Sequence, residues 1–171
     1  GGNVNSLDNT AGDTTITNGT IDTTTNVDAG LVTVQGGTLT GGVTVQGGEL
    51  TTTGATVVIT GDTTVSAGGT FDVDNGDIGD VENTGGTIEI SNGSVNSLDN
   101  TAGDTTITNG TIETTTNIDA GTINQSGGTL TGAVTVNGGE LTTSGAAIIT
   151  GDTTVSAGGT LDVNNGDIAA V

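Results

Sequence analysis

Apolar and polar residues alternate along this chain in short bursts. Val43-Thr44-Val45 and Thr38-Leu39-Thr40 are typical, and apolar positions recur every few residues at Val32, Leu39, Val45, Leu50, Ile59, Val65, Phe71 and Ile78. Between the bursts stand Gly36-Gly37, Gly47-Gly48, Gly61-Asp62, Gly68-Gly69 and Asn75-Gly76. Gly and Asn are the residues that tolerate the positive φ of tight corners. Short β-branched runs bounded by such corners predict strands. No stretch places apolar residues at i, i+3, i+4 and i+7, so the pattern predicts an all-β chain with essentially no helix.

Side chains in a strand alternate between two faces. Val43 and Val45 should therefore point inward and Thr44 outward, and Leu39 inward between two outward threonines. One position breaks the rule: inward Val34 has Gln125 as its counterpart further along the chain, which predicts a corner there.

That counterpart exists because the sequence repeats. Residues 5–21, NSLDNTAGDTTITNGTI, recur without change at 96–112, and the 91-residue offset holds from Val4/Val95 through Glu49/Glu140. One residue is lost near Thr56, after which Gly61 matches Gly151. Substitutions between the copies keep their character: Val27 becomes Ile118, Phe71 becomes Leu161 and Asp22 becomes Glu113. The chain thus divides into two tandem copies, about 2–92 and 93–171, within one continuous domain.

Two all-β architectures fit, an antiparallel sandwich and a parallel β-solenoid. Uniform strand spacing and self-similarity favour the solenoid, in which each coil stacks on its predecessor. A 91-residue repeat must then hold a whole number of coils. Five coils of about 18 residues, with three short sides, fit best, and four of about 23 are the alternative. At about 4.8 Å per coil the rod would be about 45 Å long. Its thin interior would suit Val, Ile, Leu, Thr and Ala.

Composition agrees with a thin core. The chain has one aromatic residue, Phe71, and no Pro, Cys, Met, Trp or Tyr. It has no Lys, Arg or His against 20 acids, a formal charge of −20. Binding to nucleic acid or anionic lipid through phosphate contacts needs cations, so neither partner is expected. No run approaches the length of a membrane helix, and no basic-plus-apolar leader is present. The chain opens on Gly1, which suggests a mature product or a section of something longer.

The stretch GGTLTGGVTVQGGELTTTGATVVITGDTTVSAGGTFDV (36–73) resembles the repetitive passenger regions of large bacterial surface adhesins, of the autotransporter and filamentous-haemagglutinin-like kinds. Their stalks are parallel β-helices, and the resemblance implies an extracellular or cell-surface structural or adhesive role without assigning any residue a function. A weaker resemblance is to bactofilins, cytoskeletal β-helices with a similar coil.

Three groups of residues invite chemistry. Asp72, Asp74, Asp77 and Asp80 offer the hard oxygen ligands that Ca²⁺ takes. The spacing departs from a calcium loop, because Gly76 is fifth and Asn83 twelfth, and the second copy replaces two of the acids with Asn164 and Ala170. Solvated acids at a turn, with loosely condensed divalent cations, are the plainer reading, and no cofactor is required. The 40 threonines include T-x-T pairs at Thr15/Thr17, Thr38/Thr40, Thr106/Thr108 and Thr129/Thr131, a form that ice-binding solenoids display in flat ranks. Pairs 23 residues apart within a copy do not stack on an 18-residue coil, which favours β-propensity as the reason for the threonine. Asn18, Asn92, Asn109 and Asn124 head glycosylation triplets that such a composition produces by chance. With no His, Lys or Cys to serve as base or nucleophile, the chain is expected to be non-catalytic. The expected role is a structural segment of an extracellular fibre, stalk or adhesin shaft that self-associates end to end into a filament or layer. An ice- or calcium-binding module and a bactofilin-like polymer are the alternatives.

Overall fold

The computed structural model describes residues 2–171. Among them the only regular elements are strands, from Asn3–Asn9 at one end to Asp167–Ala170 at the other. Every strand pairing is parallel and joins a residue to one a single coil away. The protein is a parallel β-solenoid of about nine coils. The antiparallel sandwich is thereby excluded.

Three ladders run along the rod. The first follows Asn3, Thr20, Thr38, Val58, Asp77, Ser94, Thr111, Thr129, Ile148 and Asp167. The second passes through strands such as Gly42–Val45 and Ala133–Val136, and the third through Leu31–Val34, Glu49–Thr52 and Thr70–Val73. Five coils carry the first ladder from Asn3 to Ser94, so the 91-residue repeat is five coils and the four-coil alternative fails. The lost residue falls in the coil from Thr129 to Ile148, one shorter than its counterpart from Thr38 to Val58.

Alternation sets the core. Each coil sends about five side chains inward, and these stack on the same position of the next coil. Leu50, Phe71 and Ile88 form one such column on the third ladder. Val43, Val45 and Leu39 are buried as their alternation predicts, with Thr40 exposed and Thr44 half-buried. Each buried aliphatic contributes about 1.5–3 kcal/mol. A column one side chain wide accommodates a single Phe, and its neighbours above and below are Leu and Ile.

Gln125 corrects the expectation of a corner. It lies within the strand Thr122–Gln125, 1% exposed, and points inward as Val34 does. Its Nε2 donates to the carbonyls of Gly128 (3.1 Å) and Ile148 (3.2 Å), which is how an amide occupies an apolar column. Its Oε1 has no hydrogen-bond partner.

The corners depend on close backbone approach. At Gly41 a Cβ would overlap the carbonyl of Thr23, and at the equivalent Gly132 it would overlap that of Thr114. Gly30 combines a φ of 76° with the same crowding against Gly12.

Candidate functional site

The acids project outward from the ladders, and the solenoid distributes the four candidate calcium ligands around the rod. Asp72 lies on the third ladder, in Thr70–Val73, and Asp74 directly follows that strand. Asp77 opens the strand Asp77–Ile90 on the first ladder, and Asp80 lies on the second, paired with Ser97. The nine residues from Asp72 to Asp80 cover about half a coil and pass from the third ladder through the first to the second, so these acids occupy different sides. Among the described residues no three acids are grouped as metal ligands.

The coil geometry instead brings together acids from successive coils. On the third ladder Asp72 lies between Thr51 on one side and Glu89 on the other, with Asp74 and Glu49 near by. Burial, then repulsion from Asp74, Glu89 and Glu49, pushes the Asp72 carboxyl up to about 6. Its Oδ1 is buried and accepts no hydrogen bond. On the second ladder Glu82 pairs with Asp99, whose carboxyl is raised by burial and by Asp119 and Glu82. In both cases a like-charged pair stands directly opposite across neighbouring strands, an arrangement that costs stability.

Asp80 behaves differently. It accepts hydrogen bonds from Ser97 Oγ (2.6 Å) and Asn96 Nδ2 (2.6 Å), which hold its carboxyl below the ordinary carboxylate value. A shallow groove of about 410 Å³ runs beside it, lined by Asp62, Asp80, Glu82 and Asp99 together with Thr64 and Ser97. Hydroxyls and carboxylates line it. Such a surface attracts cations.

The threonine pairs separate as the coil length requires. Thr15 and Thr17 belong to the third side, Thr38 and Thr40 to the first. On the third ladder the column through Thr15, Thr33 and Thr51 continues into Asp72 and Glu89 before Thr106. Acids therefore interrupt this threonine rank. The glycosylation-triplet residues Asn18, Asn92, Asn109 and Asn124 are all exposed, and Asn109 Nδ2 donates to Asn92 Oδ1 (3.0 Å).

Sequence reasoning missed a set of buried asparagines, Asn9, Asn83 and Asn100, on the second ladder. Asn100 Nδ2 donates to the carbonyls of Ala120 (2.9 Å) and Gly103 (3.4 Å), and its Oδ1 accepts from Thr105 Oγ1 (3.1 Å). Asn9 makes the matching bonds to Ala29, Gly12 and Thr14. These amides tie each corner to the next coil. The signal was present: Asn9 follows Leu7 at the spacing by which Val45 follows Val43.

Compared with protein-family models, curated proteins and solved structures, the chain gave no significant match. The fold class accordingly rests on the coil geometry alone.

Proposed function

We propose that this chain is a section of an extracellular fibre, stalk or adhesin shaft, mechanical and non-catalytic, that associates end to end. The supporting observation is that parallel ladders continue from coil to coil through both copies, shifting register only locally, as at Thr84, with the repeat equal to a whole number of coils. A rod of this kind lengthens by duplication without changing its cross-section, because every coil satisfies its backbone hydrogen bonds along the axis. The acidic coat keeps neighbouring rods apart.

Cell fractionation and immunogold labelling of the producing organism test the location. Label on surface fibres or stalks supports the shaft reading. Label confined to cytoplasmic filaments refutes it and favours a bactofilin-like polymer.

A cation-stabilised rod is a second reading, favoured by the unpartnered Asp72 oxygen among Glu49, Asp74 and Glu89. A rise in Tm with millimolar Ca²⁺ that Mg²⁺ does not match supports it, and equal responses to both ions reduce it to charge screening.

A further inference from the structure

Asn-Gly dipeptides gather at one corner of the rod, between the third ladder and the first. Asn75-Gly76, Asn92-Gly93 and Asn109-Gly110 occupy three successive interior coils there, each just ahead of the paired ladder positions Asp77, Ser94 and Thr111. Asn-Gly is the dipeptide most open to attack by its own backbone, because glycine has no Cβ to shield the amide nitrogen that follows the asparagine. The nitrogen and the side-chain Cγ are tethered in one chain, so a five-membered ring can close without an encounter step.

The three dipeptides are alike in sequence and differ in their contacts. Asn92 Oδ1 accepts a hydrogen bond from Asn109 Nδ2 (3.0 Å). A donor on this oxygen draws electron density from Cγ and stabilises the oxyanion that forms when Cγ is attacked. Among the described residues, the side-chain carbonyls of Asn75 and Asn109 accept no hydrogen bond, and the Gly93 N–H donates none. Asn92 is exposed and Gly93 half-buried, whereas Gly110 is buried. A fourth dipeptide, Asn137-Gly138, sits at the corner between the second and third ladders with both halves engaged. There the Gly138 N–H donates to the Ile118 carbonyl (3.4 Å), and Asn137 Nδ2 donates to Asp119 Oδ1 (2.8 Å).

We infer that Asn92-Gly93 is a self-modification site, at which the backbone converts Asn92 to aspartate and isoaspartate, with Asn109 as the group that activates it. Solvent base takes the Gly93 amide proton, and the nitrogen attacks Asn92 Cγ. The bond from Cγ to Nδ2 breaks, Nδ2 takes a proton from water and leaves as ammonia, and a succinimide ring closes. Water then opens the ring. Addition at Cγ gives aspartate, and addition at the Asn92 main-chain carbonyl gives isoaspartate, whose backbone is one methylene longer. Water is the only co-reactant. Aspartate keeps an acceptor for Asn109 Nδ2, and its charge strengthens that bond. Each event adds one negative charge to a chain that already carries −20. The inference stands apart from the shaft reading and holds for a rod in any location.

The test ages the folded full chain at mildly alkaline pH. The chain has no Lys or Arg, so it is cleaved at its acids and mapped by mass spectrometry. Electron-transfer fragmentation assigns each product and separates isoaspartate from aspartate. Asn92 is expected to convert faster than Asn75, Asn109 and Asn137, with Asn137 the slowest. N109A should slow Asn92 about two- to tenfold, the worth of one hydrogen bond, and leave Asn137 unchanged. In denaturant the lead of Asn92 over Asn109 should vanish, because the two dipeptides then have like surroundings. Equal or faster conversion at any of the other three in the folded chain, a lead that persists in denaturant, or an unchanged Asn92 rate in folded N109A overturns the inference. If N109A fails to fold, the comparison of folded with denatured native chain decides by itself.

Discussion

Asp72 has the largest carboxyl shift on the rod, and its pH signature has a definite sign. Folding raises its carboxyl from 3.8 to about 6, so the folded chain holds a proton there that the unfolded chain releases. Stability from this group grows as pH falls from above 6 towards 3.8 and is lost as pH rises through 6. Asp99 shifts in the same direction. Asp80 is lowered, so its contribution is present above 3.8 and lost only in stronger acid. Thermal melts followed by circular dichroism should therefore give a higher Tm at pH 5 than at pH 7.5. D72N should raise Tm at pH 7.5 and narrow the gap between the two. At Thr63 the hydroxyl is buried without a partner in a column between Val43 and Val81. T63V keeps the shape and should stabilise by about 1 kcal/mol in urea titrations. At this scale the sequence was informative wherever chemistry was conserved between copies, as at Val27/Ile118. It misled at Gln125, because an amide can satisfy its donor within the column and needs no corner to reach solvent.

Among elements, the strands and turns were legible from alternation and from Gly and Asn placement. The amide-bonded corners were not. An inward asparagine looks like a turn residue in a one-dimensional pattern, and its role appears only when the next coil brings the carbonyl of Ala120 to Asn100. N100A leaves that carbonyl and the Thr105 hydroxyl without their partner and should cost about 1–3 kcal/mol by chemical denaturation. G132A should cost more than about 1 kcal/mol, because the added Cβ meets the Thr114 carbonyl of the coil beneath. The candidate calcium residues show the limit of linear proximity. Asp72, Asp77 and Asp80 are neighbours in sequence and face three sides of the rod, whereas Asp72 and Glu89 are a coil apart and adjacent in space.

The whole molecule is a rod because repeat length and coil length are commensurate. That arithmetic was visible in the sequence, and register supplied the choice between five coils and four. The function was not legible to the same depth, since an acidic surface without cations, His or Cys narrows the chemistry without naming a partner. The central claim, that coils stack in parallel and in register, is open to a direct distance measurement. The chain has no Cys, so paired spin labels at T15C and T142C report one distance. These positions share one ladder, seven coil steps apart through Thr33, Thr51, Asp72, Glu89, Thr106 and Asn124. Double electron–electron resonance should give a single narrow distribution centred near about 34 Å, seven spacings of about 4.8 Å. A broad distribution, or a peak well below that value as folded-back hairpins would give, contradicts the solenoid.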